Sequence, residues 1–348
     1  PTNGDILAMV SVPSFDPNLF AVGMSTAEFG ALQNDPDRPL FNRTVRGAYP
    51  PGSTIKPMLS LAALETGATN LTRKSLCYGH FQLPGNEHRY RDWKEHGRVD
   101  LHDAIAQSCD VYFYEISGDL GIDNIHEYLT RFGLGSQTGI DVIGETTGIV
   151  PSREWKRQNF SDPDNQRWYH GETVIASIGQ GYMLTTPLQL AAAVGTLAMR
   201  GDRFRLHLVA AVEDGLSGER RMVEPEWLGN VDISNEFYWQ NVLEGMHSVM
   251  QGPEGTARAV GTGAPYEMAG KSGTAQVISI AQDDEYDEDE LEERQRDHAL
   301  FIAFAPFEDP RIAVAVIVEN GSSGSRVAAP IARAVMDQYL GYGDDGSQ

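Results

Sequence analysis

Tyr49-Pro50-Pro51-Gly52-Ser53-Thr54-Ile55-Lys56-Pro57 is the stretch on which the reading of this chain turns. Pro50, Pro51 and Gly52 stop any regular element, and the apolar run from Met58 to Leu64 then reads as a helix ended by Gly67. Ser53 and Lys56 therefore fall at or near its first turn, three residues apart, where two side chains share one face and can touch. A helix N-terminus also presents free backbone N–H groups and the positive end of a dipole, both suited to a developing oxyanion. A serine beside a lysine in that setting is a candidate activated nucleophile. Taken alone, S-x-x-K reads better as a serine N-cap followed by a solvated lysine, so its meaning rests on the remaining chain.

The chain has 348 residues and a formal net charge of −22, which excludes the basic face that nonspecific nucleic-acid binding needs. No apolar run is long enough to span a bilayer. The sequence begins at Pro1 and enters a strand-like segment over residues 4–12 almost at once, which points to a piece of a longer protein. Residues 19–49 read as irregular, and residues 76–100 as a long loop rich in His, Arg, Tyr and Gly. Helical spacing over 101–117 is interrupted at Ser108-Cys109-Asp110, and further helices are expected over 122–132, 187–199, 234–250 and 327–340. A hairpin is expected over 209–224, and strands over 266–280, 299–307 and 311–319, the first two flanking an acidic run over 283–296. The pattern is α+β, with an α/β part at about 1–60 and 255–348 and a mostly helical part at about 61–254.

Three short motifs fall in order: Ser53-x-x-Lys56, Ser108-Cys109-Asp110, and Lys271-Ser272-Gly273-Thr274. S-x-x-K, S-D-N and K-T-G together are the signature of penicillin-binding proteins and serine β-lactamases. With Ala48 to Ser53, Phe81-Gln82-Leu83-Pro84-Gly85, Arg89-Tyr90-Arg91-Asp92-Trp93, Gly179-Gln180-Gly181, Gly255-Thr256-Ala257 and Lys271 to Gln276, the chain resembles the elongation-type penicillin-binding protein 2 family over nearly its whole length.

That resemblance implies a penicillin-binding or serine β-lactamase-like transpeptidase fold, with a central antiparallel sheet, flanking helices and an all-helical subdomain. It implies a peptidoglycan D,D-transpeptidase that crosslinks stem peptides through a Ser53 acyl-enzyme during cell elongation and is inhibited by β-lactams. Lys56 would be the general base, Ser108 the proton relay to the leaving amine, Asp110 the partner of Lys56, and Lys271 the cation that unsettles it. Asp110 departs from the Asn often found in the family. Ser272 and Thr274 would bind the substrate carboxylate, and Gly273 would let the substrate lie alongside as an added strand. The Ser53 and Thr274 N–H groups would form the oxyanion hole. Implied partners are a SEDS-type glycan polymerase and the rod-shape scaffold. The implied location is the bacterial inner membrane, with the catalytic domain in the periplasm behind a single N-terminal anchor and a pedestal. A β-lactamase or D,D-carboxypeptidase of the same fold, or a non-catalytic β-lactam sensor, are the alternatives.

Catalysis of this kind needs no cofactor, yet Cys77, Asp92, His96 and Cys109 concentrate thiol, imidazole and carboxylate chemistry in one loop and the turn after it. Such a set suits a closed, structural zinc site that ties the loop to the Ser108 turn. A Cys77–Cys109 disulfide or two buried thiols are the competing readings, with His80, His88 and His102 as other available ligands.

Overall fold

The computed structural model describes residues 1–278 and 287–343. Its sheet is antiparallel, with Ile312–Val318 paired to His298–Ala305 and that strand paired to Ala269–Ala275. The middle strand is an unbroken apolar run, as expected where both faces are covered. Leu300, Ile302 and Phe304 join the core around the Lys56–Glu65 helix, whereas Ala299, Phe301, Ala303 and Ala305 join a second core under the Ala329–Leu340 helix. Period-two alternation thus splits one strand between two cores.

The Lys56–Glu65 helix is buried from Lys56 to Leu64, so it carries no polar stripe and sits in the middle of the protein. A 3-10 turn, Gly52–Ile55, leads into it, and Gly67 at φ +76° follows its end. Around it pack Leu101–Ala106, the long Asp110–Arg131 helix with a kink at Gly121, and Glu236–Gln251, while Pro187–Ala198 lies on the Ile312–Val318 and His298–Ala305 strands. The Pro187–Ala198 helix opens with a Thr186/Gln189 capping box, so its expected start is borne out. The 209–224 hairpin is also present, as Ala211–Glu213 against Arg220–Met222. Among the described residues, no helix is long and apolar enough to cross a membrane.

Three expectations need correction. Residues 4–12 form no strand; only Asp5 bridges His207, and Leu7, Val10 and Val12 are exposed, because no neighbouring strand lies alongside to use their alternation. Residues 19–49 are not irregular throughout: Asn18–Val22, Thr26–Asn34 and Arg43–Arg46 are helical, the second held by a Ser25/Glu28 capping box. The 76–100 loop is a nested pair of ribbons, Ser75–Cys77 with Gly97–Val99 and His80–Gln82 with Arg89–Arg91. Three-residue strands are too short to print a period. Part of the acidic 283–296 run lies outside the described residues.

Candidate active site

Ser53 lies in the Gly52–Ile55 turn, where φ +53° at Gly52 turns the chain into the buried helix. Lys56, one turn on, is fully buried, and its ammonium points at the second motif. It donates to Asp110 Oδ1 at 2.6 Å and to Ser108 O at 2.9 Å, with Ser108 Oγ at 3.4 Å. Ser108 is the hinge between the Leu101–Ala106 and Asp110–Arg131 helices and takes the left-handed conformation, φ +60°. A non-glycine residue there costs roughly 1–2 kcal/mol. The return is that both its carbonyl and its hydroxyl face Lys56.

Lys271 is also fully buried, on the edge strand, and donates to Ser272 O at 3.0 Å. Burial first and the charge of Lys56 second push its pKa well below the ordinary lysine value, with Asp110 pulling the other way. Asp110 contacts Lys56, whereas no carboxylate lies within ion-pair distance of Lys271 among the described residues. Burial likewise pushes the Asp110 carboxyl up, against the pull of Lys56.

The edge strand brings Ser272, Gly273 and Thr274 beside the Ser53 turn. Ser272 Oγ shares a hydrogen bond with Thr256 Oγ1 at 2.9 Å. A Cβ on Gly273 would lie 2.7 Å from Thr54 Cγ2 and 3.0 Å from Pro51 O, so the missing side chain makes room for the nucleophile's own turn. Thr274 O accepts from Gln180 Nε2 at 2.8 Å, and Gly179 O accepts from Gly52 N at 2.9 Å. In the sequence Gln180 is a candidate for the cleft lining, with turn geometry as the competing explanation, and Thr256 has no assigned role. Their only mark was a place in short glycine-flanked runs, which any tight turn also produces.

The four residues of the second constellation do come together. Their ligand atoms all lie within 4.8 Å of one another. Asp92 Oδ2 is 3.4 Å from Cys77 Sγ, 3.3 Å from Cys109 Sγ and 3.4 Å from His96 Nδ1, and Cys77 Sγ is 3.4 Å from His96 Nδ1. Zinc bonds of about 2.0–2.3 Å in a tetrahedron put ligand atoms roughly 3.3–3.8 Å apart, so the set fits that ion. His96 Nε2 donates to Gln107 O at 3.3 Å, which leaves Nδ1 free to ligate. Both cysteines are free and buried, and burial pushes both thiols up. Burial also opposes ionisation of Asp92, yet His96, Lys56 and the Val111 N–H hold its carboxyl down at about 2.

Asp92 Oδ2 accepts as well from the backbone N–H of Asp110 (2.8 Å) and Val111 (3.0 Å), capping the helix that begins at Asp110. His80 and His88 do not join the cluster, and His102 groups instead with Asp100 and Asp103. Tyr90 is buried as expected of loop packing, and Trp93, 59% exposed, donates Nε1–H to Gln107 O at 3.2 Å and meets the His96 ring edge-to-face at 5.4 Å.

Residues 1–337 match the family described as "Penicillin binding protein transpeptidase domain". The peptidoglycan D,D-transpeptidase MrdA of Escherichia coli strain K12 is 42% identical over 352 residues, covering 100% of this chain and 54% of that protein. A crystal structure of Pseudomonas aeruginosa PBP2 in complex with WCK 5153 superposes with a TM-score of 0.86 at 46% identity, covering 97% of this chain and 69% of that one. A complex between PBP2 and MreC from Helicobacter pylori gives 0.82 at 32% identity, covering 98% of this chain and 59% of that one. The chain spans about half the length of the curated relatives it matches.

Proposed function

This chain belongs to the penicillin-binding protein transpeptidase family, and on that premise we propose that it is the acyl-transferring domain of a peptidoglycan D,D-transpeptidase. The observation that carries the reading is the convergence of the Ser53 turn, the Ser108 hinge and the Lys271 strand, with Lys56 bonded to the first and third residues of the hinge motif, Ser108 and Asp110.

In this reading Ser53 Oγ attacks the carbonyl between the two terminal D-alanines of a donor stem peptide. Lys56 in its unprotonated form takes the hydroxyl proton, and Asp110 accepts a hydrogen bond from the ammonium so formed. Negative charge on the former carbonyl oxygen is met by the Ser53 and Thr274 N–H groups. Ser108, between Lys56 and the cleft, passes a proton to the leaving D-alanine amine. An acceptor amine then attacks the Ser53 ester, forms the crosslink and returns the serine. Ser272 and Lys271 receive the donor's terminal carboxylate, with Thr256 orienting the Ser272 hydroxyl. A β-lactam enters as the donor does and stops at the ester.

Zinc held by Cys77, Asp92, His96 and Cys109 would supply structure, not chemistry. It would bind both sulfurs as thiolates, releasing the protons that burial otherwise keeps on them, and fix the ribbon to the first turn of the helix carrying Asp110. A periplasmic setting beside an inner-membrane glycan polymerase and a rod-shape scaffold protein accords with the MreC complex of the H. pylori relative.

The test is covalent labelling. A fluorescent penicillin should add one acyl mass at Ser53 and stay for many minutes, and Ser53→Ala should abolish the label while the fold survives. Rapid turnover of the label would favour a hydrolase instead, and no label on the intact chain would sink the acyl-transfer reading.

A further inference from the structure

The Gly179-Gln180-Gly181 turn touches the machinery without belonging to any of its three motifs. We propose that Gln180 is a positioning residue for the oxyanion hole, stapling the Thr274 backbone to the Ser53 turn at the separation the transition state needs. This rests on the acyl-transfer reading above.

Along one strand of an antiparallel pair, backbone groups alternate between facing the partner strand and facing away. A Cβ on Gly324 would lie 2.2 Å from Leu300 O, 2.5 Å from Gly273 O and 3.1 Å from Gly273 N, so the polar groups of Gly273 sit with those of its partner Leu300. Thr274, the next residue, therefore turns its N–H and C=O to the free edge of the sheet. The Gln180 bond to Thr274 O at 2.8 Å agrees. The residue that offers an oxyanion donor thus has its carbonyl tied down from outside the sheet.

The other half of the staple is one residue away. Gly179 O accepts from Gly52 N, the residue just before the nucleophile, at 2.9 Å. The unit Gly179–Gln180 therefore holds one bond to each side of the hole. The three backbones stack with no side chain between them. A Cβ on Gly179 would lie 2.3 Å from Gly52 O, and one on Gly52 would lie 2.3 Å from Thr274 O.

The turn is itself anchored. Gln180 is buried and its N–H donates to Ile175 O at 3.2 Å. Tyr182 Oη donates to Glu172 Oε1 at 3.2 Å, and Glu172 pairs with the buried Lys156 ammonium. Facing a carbonyl, only the amide NH2 of Gln180 can make this bond, so a carboxylate of the same shape would not serve.

Gln180 acts through the Thr274 backbone, so its loss should appear where charge develops and spare ground-state binding. The experiment measures acylation by a chromogenic cephalosporin, separating the limiting rate from the half-saturating concentration. Gln180→Ala, Gln180→Glu and the size-matched Gln180→Met are compared well below their unfolding temperatures. The limiting rate should fall about 10- to 100-fold in all three, with half-saturation within about threefold of wild type.

The ester carbonyl stretch of the acyl-enzyme, read by infrared difference, should move to higher wavenumber as its hydrogen bonds weaken. A Met variant with wild-type limiting rate and an unmoved carbonyl stretch overturns the proposal, whatever its thermal stability. So does a defect confined to half-saturation. Wild-type labelling of Ser53 is measured first, so a failure of the acyl-transfer reading shows there and not in the variants.

Discussion

Gly273→Ala asks what the glycine of the third motif is for. The added Cβ would sit 2.7 Å from Thr54 Cγ2 and 3.0 Å from Pro51 O, on the turn that carries Ser53. Ordinary carbon contacts begin near 3.5 Å, so the strand and the turn must separate by roughly 0.5–1 Å. Overpacking of this kind costs about 1–3 kcal/mol, which for a chain of this size lowers the melting temperature by only about 1–4 °C. The catalytic cost should be larger. Separating the strand from the turn separates Thr274 from Ser53, and a misplacement near 1 Å is worth about 100-fold in rate.

The assay is stopped-flow acylation by a fluorescent penicillin together with a thermal melt. Thr54→Ser removes the nearest atom and keeps the hydroxyl that donates to Pro51 O at 2.7 Å, so the double variant should recover part of the rate. If Gly273→Ala acylates within threefold of wild type, or Thr54→Ser gives no recovery, the strand is not seated on the nucleophile turn as described. The glycine would then serve the substrate after all.

Ser108→Ala and Ser108→Gly should both slow acylation, because both remove the hydroxyl near Lys56, but the glycine variant should unfold at the higher denaturant midpoint, by about 1 kcal/mol, since it alone relieves the φ +60° backbone. Equal midpoints would contradict a left-handed Ser108. Purified, chelator-free protein should carry about one zinc by elemental analysis; stripping it should expose two titratable thiols and lower the melting temperature, because Asp92 caps the helix start at Asp110 from within the same cluster.

His298 should make stability fall in mild acid. Burial depresses its pKa below the usual 6.5 with Glu319 opposing, and Nδ1 accepts from Asn320 N at 3.0 Å, which a protonated ring cannot do. The unfolded chain therefore takes up this proton first as pH drops. Stability present above pH 6.5 is lost as pH falls through the lowered folded value, and His298→Gln should flatten that part of the curve, as measured by urea unfolding from pH 7.5 to 5.

The sequence by itself determined the chemistry-bearing residues and the elements that carry them. Proline and glycine before an apolar run place Ser53 and Lys56 at a helix start, and a break at Ser108-Cys109-Asp110 places the second motif between two helices. The apolar run of the 298–305 strand marks a sheet covered on both faces. These are local facts, set by backbone stereochemistry and by the period of the side chains.

Tertiary structure alone decided the rest, because it depends on what lies across the gap. Alternation in residues 4–12 meant nothing without a neighbouring strand to pair with. Lys56 and Lys271 are the same residue type, and only the position of Asp110 separates the one with a counter-ion from the one that burial drives toward neutrality. That the missing Cβ of Gly273 points at Thr54 is visible only in the folded chain. Gln180 lies 94 residues from the Thr274 carbonyl it holds. No local pattern encodes a hydrogen bond of that span; it exists because a helix, a turn and a sheet edge are packed to within 3 Å of one another.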